Sequence, residues 1–229
     1  MMRNTIRWAL VAFAAVCVTA ASAHAALINV SLGTQDFTDS EFLLLGGGQF
    51  NLDSTDIVAP FDVFRGGDVA GAASFSESWT FGYAAITNPL ESIIAASLQF
   101  GIFDHDSAHP GDQVAAFDVD GNAHTAALNA LFNGSGGANT EYNVYTVDLM
   151  SLAFPDLRDG SATFSLSLQG PTPPAFSFLP PLPNNGAGLD FAMLTIETRV
   201  DDETPVPAPP TVLLLFFGIV GLLSRRRAC

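Results

Sequence analysis

Two stretches gather most of the residues able to do chemistry. The first is Asp104-His105-Asp106-Ser107-Ala108-His109-Pro110-Gly111-Asp112, and the second is Asp118-Val119-Asp120-Gly121-Asn122. Carboxylates at i and i+2 beside a glycine turn suit Ca²⁺, which takes roughly six to eight oxygen ligands. Asp104, Asp106, Asp118 and Asp120 are the expected ligands; if the strands flanking the first loop pair as a hairpin, Asp118 and Asp120 lie either near the base of that loop or at its opposite end. Asp118-x-Asp120-Gly121 lacks the further ligands and distal Glu of a calcium loop, and Asp and Gly are also the commonest turn residues. Plain turn chemistry therefore stands beside the metal reading. His105 and His109 are four apart, which on a helix would aim both at Zn²⁺. Pro110 and the Asp/Ser/Gly content make the segment a loop instead. His124 is either a third ligand or a residue lining the surface.

Catalytic signatures are missing from the sequence. It has no His-Glu-x-x-His, Gly-x-Ser-x-Gly or Walker loop, and Gly46-Gly47-Gly48 lacks the Lys and helix of a phosphate cradle. There is no lysine, and the two cysteines, Cys17 and Cys229, lie in the terminal segments, so several covalent mechanisms are excluded. Carboxylate pairs for glycoside hydrolysis exist in principle among 23 acidic residues, but no spacing selects a pair. The expectation is a protein that is not an enzyme.

The elements that would position these residues alternate with period two, the pattern of half-buried strands. Phe75, Trp79 and Phe81 alternate with Ser and Thr, and Ile94, Ala96, Leu98, Phe100 and Ile102 form the next run. Ala115, Phe117 and Val119 follow the acidic loop. Ala162, Phe164, Leu166 and Leu168 make the clearest case, and Ala192 to Val200 closes the series. Weaker strands are expected at 27–32, 56–64 and 141–149, a short helix near 124–132 and a turn near 149–157. Gly, Pro, Asn and Asp clusters separate the runs. Eight or so short strands with polar outer faces predict an all-β, antiparallel β-sandwich or jelly-roll-like ectodomain over 26–200.

The run 171–185 holds six prolines with Phe176 and Phe178 between them, so it cannot be a central strand. Its two aromatics either contact a ligand or fold back over a sheet edge.

The chain's two ends have a different character. In residues 1–25, Arg3 and Arg7 precede the apolar stretch Trp8–Ala21, and Ala23-His24-Ala25 supplies small residues for signal peptidase, giving a mature start at Ala26. Residues 201–210 form an acidic and then Pro-rich linker. Residues 211–229 hold an apolar helix and the basic stop Arg225-Arg226-Arg227. The positive-inside rule keeps those arginines cytoplasmic and the upstream chain outside. The helix falls short of the usual span of about 20 apolar residues, which suits a transient signal better than a permanent anchor. Only Arg65, Arg158 and Arg199 face the 23 acidic residues between the two segments. Such a surface repels phosphate backbones, which excludes nucleic-acid binding, and it attracts divalent cations.

The tail resembles the PEP-CTERM signal of Gram-negative bacteria, read by exosortases. Val206, Pro207, Ala208 and Pro209, the apolar run Val212–Leu223 and the Arg triplet carry the likeness, in a variant form with Ala208 where the motif usually has Glu. The resemblance covers about 25 residues. It implies membrane anchoring, cleavage near the Pro motif by an exosortase-like enzyme, and delivery to the cell surface or extracellular matrix. The resulting expectation is a non-catalytic structural or binding module. The alternatives are a carbohydrate-binding module for exopolysaccharide using Phe176, Phe178 or the acidic loop, and, further off, a glycoside-active enzyme.

Overall fold

The computed structural model describes residues 25–42, 59–106, 109–134, 136–173, 175–178 and 183–200. The signal-peptide, linker and tail assignments, including Ala23, Val206–Pro209 and Arg225–Arg227, lie outside these residues. No helix among the described residues is long and apolar enough to cross a membrane. Ala25–Thr198 forms one compact unit.

The described residues form ten strands and one α-helix: β1 (Ala25–Gly33), β2 (Glu41–Phe42), β3 (Val63–Arg65), β4 (Ser76–Gly82), β5 (Glu91–Phe103), β6 (Val114–Val119), β7 (Asn122–Ala123), α1 (Thr125–Phe132), β8 (Glu141–Asp148), β9 (Ser161–Leu168) and β10 (Ala187–Val200). Short 3₁₀ turns at Ser151–Ala153 and Asp156–Arg158 fill the place of the expected turn. The larger sheet runs β1-β10-β5-β8-β2, with β3 also on β10, and the smaller runs β4-β9-β6-β7. The pairings β4–β9, β5–β8 and β6–β9 are all antiparallel. The fold is all-β, with two sheets sharing one core.

The period-two runs explain the layering. In β9 the even positions Ala162, Phe164, Leu166 and Leu168 are buried, while Thr163 is exposed and Ser161, Ser165 and Ser167 are partly so. The outward hydroxyls meet across the smaller sheet, Ser76 with Ser167 at 2.8 Å and Thr80 with Thr163 at 3.0 Å. Inward, Trp79 stacks on Phe164 at 6.0 Å, Phe164 on Phe117 at 6.3 Å, and Phe117 meets Phe100 of the opposite sheet at 6.4 Å. Each fully buried Phe contributes on the order of 1.5–3 kcal/mol, so this row of rings is a main tie between the layers.

β5 and β6 are in different sheets, so the expected hairpin around the first acidic loop does not form. β5 pairs with β8 and β6 with β9 instead, because inward faces of both strands are needed on opposite sides of the core. The helix α1 lies where the sequence puts it. Its Asn129 accepts from the backbone N–H of Gln113 and Val114 and donates to the Val114 carbonyl. That side chain serves backbone groups where β6 shifts register between Val114 and Ala116.

One end of the larger sheet is covered on both faces. There a second cluster of Phe103, Tyr142 and Phe191 packs with Phe37, Phe64, Val144 and Met193. Residues 187–192 of β10 are all buried. Gly101 is required here, since a Cβ would stand 1.9 Å from the Tyr142 hydroxyl.

Candidate functional site

Three carboxylates converge at the covered end. Asp36 follows β1, Asp62 precedes β3, and Asp190 lies on β10. Each offers an oxygen within 4.8 Å of the others, with Asp36 exposed and Asp62 and Asp190 buried. The backbone holds them there. Asp62 sits in the left-handed region (φ 61°) and donates its N–H to the Leu189 carbonyl at 2.7 Å. Gly33, also left-handed (φ 70°), ends β1 so close to β10 that a Cβ would meet the Asp190 carbonyl at 2.3 Å. Asp190 Oδ2 accepts from the Tyr142 hydroxyl at 2.7 Å and from the Asp36 N–H at 3.3 Å. Burial pushes the Asp190 carboxyl up to about 6, and the Asp36 charge adds to this against the hydrogen bonds that lower it. Burial and the same carboxylate push the Tyr142 hydroxyl up as well.

Asp104 and Asp106 lie just past β5, both in the left-handed region. Thr140 N–H donates to Asp104 Oδ1 at 2.7 Å. Asp106 is buried with its Oδ2 lacking a hydrogen-bond partner. Burial first, then the charges of Asp68 and Asp104, raise it to about 7, and burial raises Asp104 too. Asp68 is held by the Gly186 N–H at 2.8 Å.

Asp118 and Asp120 are elsewhere, at the other end of β6, whose six residues span on the order of 20 Å. Ser165 donates its hydroxyl to Asp118 at 2.5 Å, and Asp120 exchanges bonds with the Thr163 backbone at 2.8 Å. These are the turn and cross-strand roles open to Asp. The structure therefore keeps Asp104 and Asp106 apart from Asp118 and Asp120, because β6 itself separates the two pairs. Among the described residues, Asp36, Asp62 and Asp190 form the group that brings three metal-ligating atoms so close.

The histidines do not gather. His105 is fully buried, its ring 4.0 Å from Phe132, with Nε2 on the Tyr145 hydroxyl at 2.9 Å and Nδ1 near Gln113 at 3.4 Å. Burial lowers it to about 4, so it is neutral at ordinary pH. His124 Nε2 accepts from the Met150 N–H at 2.9 Å. Its proton is therefore on Nδ1, which donates to the Asn122 carbonyl at 2.8 Å. Both rings serve as internal struts. Phe176 and Phe178 stand out in solvent, at 94% and 103% exposure, rather than folding over a sheet edge.

Asp36, Asp62 and Asp190 escape sequence reasoning because they come from three distant segments. One signal was there: Asp190 is a lone charge in the apolar run Gly188–Ile196. No family model matches the chain, and a search of curated proteins finds no match.

Proposed function

We propose that this chain is an exported protein of a Gram-negative cell, delivered to the surface or extracellular matrix, whose jelly-roll-like sandwich is a non-catalytic structural or binding module. In this reading signal peptidase removes residues 1–25. An exosortase-like enzyme then acts near Val206–Pro209, while residues 211–229 hold the chain in the membrane with the arginines inside. The observation that carries the proposal is the pairing of two processing-type segments around a lysine-free acidic body. The alternation of β4, β5, β6, β8, β9 and β10 between the two sheets supports the jelly-roll-like reading. Histidines locked into internal hydrogen bonds support a non-catalytic role.

The test is terminal-peptide mass spectrometry of surface and matrix fractions. Expected are an N-terminus at Ala26 and a C-terminus near the Pro motif. An intact tail in released material would overturn the sorting part.

The exposure of Phe176 and Phe178 favours a second reading, a carbohydrate-binding module for exopolysaccharide, since exposed rings are the surfaces on which sugars stack. Glycan-array binding that disappears in the double variant Phe176→Ala, Phe178→Ala would support it, and no binding by the unaltered chain would remove it.

A further inference from the structure

We propose that Asp36, Asp62 and Asp190 form a binding site for a hard divalent cation, Ca²⁺, at the covered end of the larger sheet. Two oxygens bound to one Ca²⁺ at about 2.4 Å each stand at most about 4.8 Å apart. The three carboxylates already meet that limit pairwise, so small side-chain rotations bring all of them onto one ion.

A second observation points to a ligand. Asp190 is fully buried, and its Oδ2 is taken by the Tyr142 hydroxyl and the Asp36 N–H. Its other oxygen, Oδ1, is buried without a hydrogen-bond partner. A buried carboxylate oxygen left so is among the costliest groups a fold can hold, and it belongs to the residue around which the other two acids gather.

Among the described residues, no cationic side chain is seen to answer that charge. The chain has no lysine. Arg65 pairs with Glu77 at 3.3 Å, and Arg158 is committed to the carbonyls of Ile86, Asn88 and Glu91. Arg199 is nine residues along β10 from Asp190, roughly 30 Å of strand. A cation from outside would supply the neutralising charge that these residues do not.

The ligand set names the kind of ion. All three donors are carboxylates and no His or Cys joins them, which selects a hard cation over zinc or copper. Asp36 is exposed, so water completes the shell on that side. A shell of one strand carboxylate, two flanking-segment carboxylates and water suits the variable coordination of Ca²⁺ better than the strict octahedron of Mg²⁺.

The test uses the full chain in mild detergent, stripped with EDTA and titrated with CaCl₂ by calorimetry, with Tb³⁺ luminescence in parallel. Tyr142, bonded to Asp190, is the built-in sensitiser. Expected are one Ca²⁺ per chain, Tb³⁺ emission displaced by Ca²⁺, and a rise of several degrees in Tm. Asp190→Asn should abolish binding. Asp36→Asn, at an exposed position that folding does not need, should weaken it at least tenfold. Asp106→Asn should leave it intact. The proposal fails if the unaltered chain binds no Ca²⁺, if Asp36→Asn and Asp190→Asn bind as well as it does, or if binding is lost only in Asp106→Asn. Tighter binding of Mg²⁺ than of Ca²⁺ would overturn the choice of ion. Full stabilisation by acid with nothing added by Ca²⁺ would mean that a proton occupies the place.

Discussion

Asp118 and Asp190 are the same residue type on strands of the same sandwich, yet they live under opposite rules. Asp118 lies on the open face of the smaller sheet, where the Ser165 hydroxyl reaches it and water is near. Asp190 lies where the larger sheet is covered on both faces, with Oδ1 unbonded and Oδ2 tied to Tyr142. Asp106 shares its situation, buried and with an unbonded Oδ2. A carboxylate is cheap in a turn because the turn supplies N–H and O–H donors. In a dry enclosure it needs a counter-charge or a proton, and that need marks a place where something binds.

The comparison can be broken in several ways. The largest effect should come from Tyr142→Phe, which removes the side-chain donor to a buried carboxylate and should cost about 2–3 kcal/mol in urea unfolding at pH 8 in EDTA. A loss no larger than that of an Asp118 variant would make the two regions equivalent. Asp106→Asn goes the other way. It deletes a buried charge while keeping the side chain's shape, and should stabilise by about 1–2 kcal/mol at pH 8.

The gain from Asp106→Asn should shrink on acidification, and the sign follows from proton linkage. Asp106 and Asp190 have folded values raised to about 7 and about 6, so their contribution is fully present below the ordinary carboxylate range and is lost as pH rises through those values. His105, lowered to about 4, contributes stability above its ordinary 6.5 that is lost as pH falls toward 4. Subtracting the unaltered chain from Asp106→Asn cancels the shared His105 and Asp190 parts. The difference should grow as pH rises from 5 and level off above about 7, and a flat difference would contradict the buried-charge account. The smallest effect should be that of Asp118→Ala, about 1 kcal/mol in urea unfolding for one lost hydrogen bond.

Much of the fold was legible because a strand's two faces are written locally. Ala162–Leu168, Trp79–Phe81 and Leu98–Ile102 carry their burial in their alternation, and His124–Phe132 carries its helix. Partner choice is not local. Nothing within the 91–119 stretch says that β5 and β6 belong to different sheets, so the hairpin on which a shared site of the two acidic stretches depends could be neither affirmed nor excluded from the sequence. The Asp36–Asp190 contact spans 154 residues and exists only because β1 and β10 are neighbours. Alternation marks β10 only from Ala192 onward, because residues 187–191 are buried on both faces and show none.

The strand made last, β10, sits between β1, made first, and β5. A chain emerging N-terminus first thus leaves a gap in the middle of its larger sheet until residues 187–200 arrive. Premature closure is hard, because early segments lack the neighbour they need, and non-local pairing of this kind slows folding. Completion of the larger sheet therefore waits for its central insert, so the last described strand decides when β1 and β5 come to share one layer.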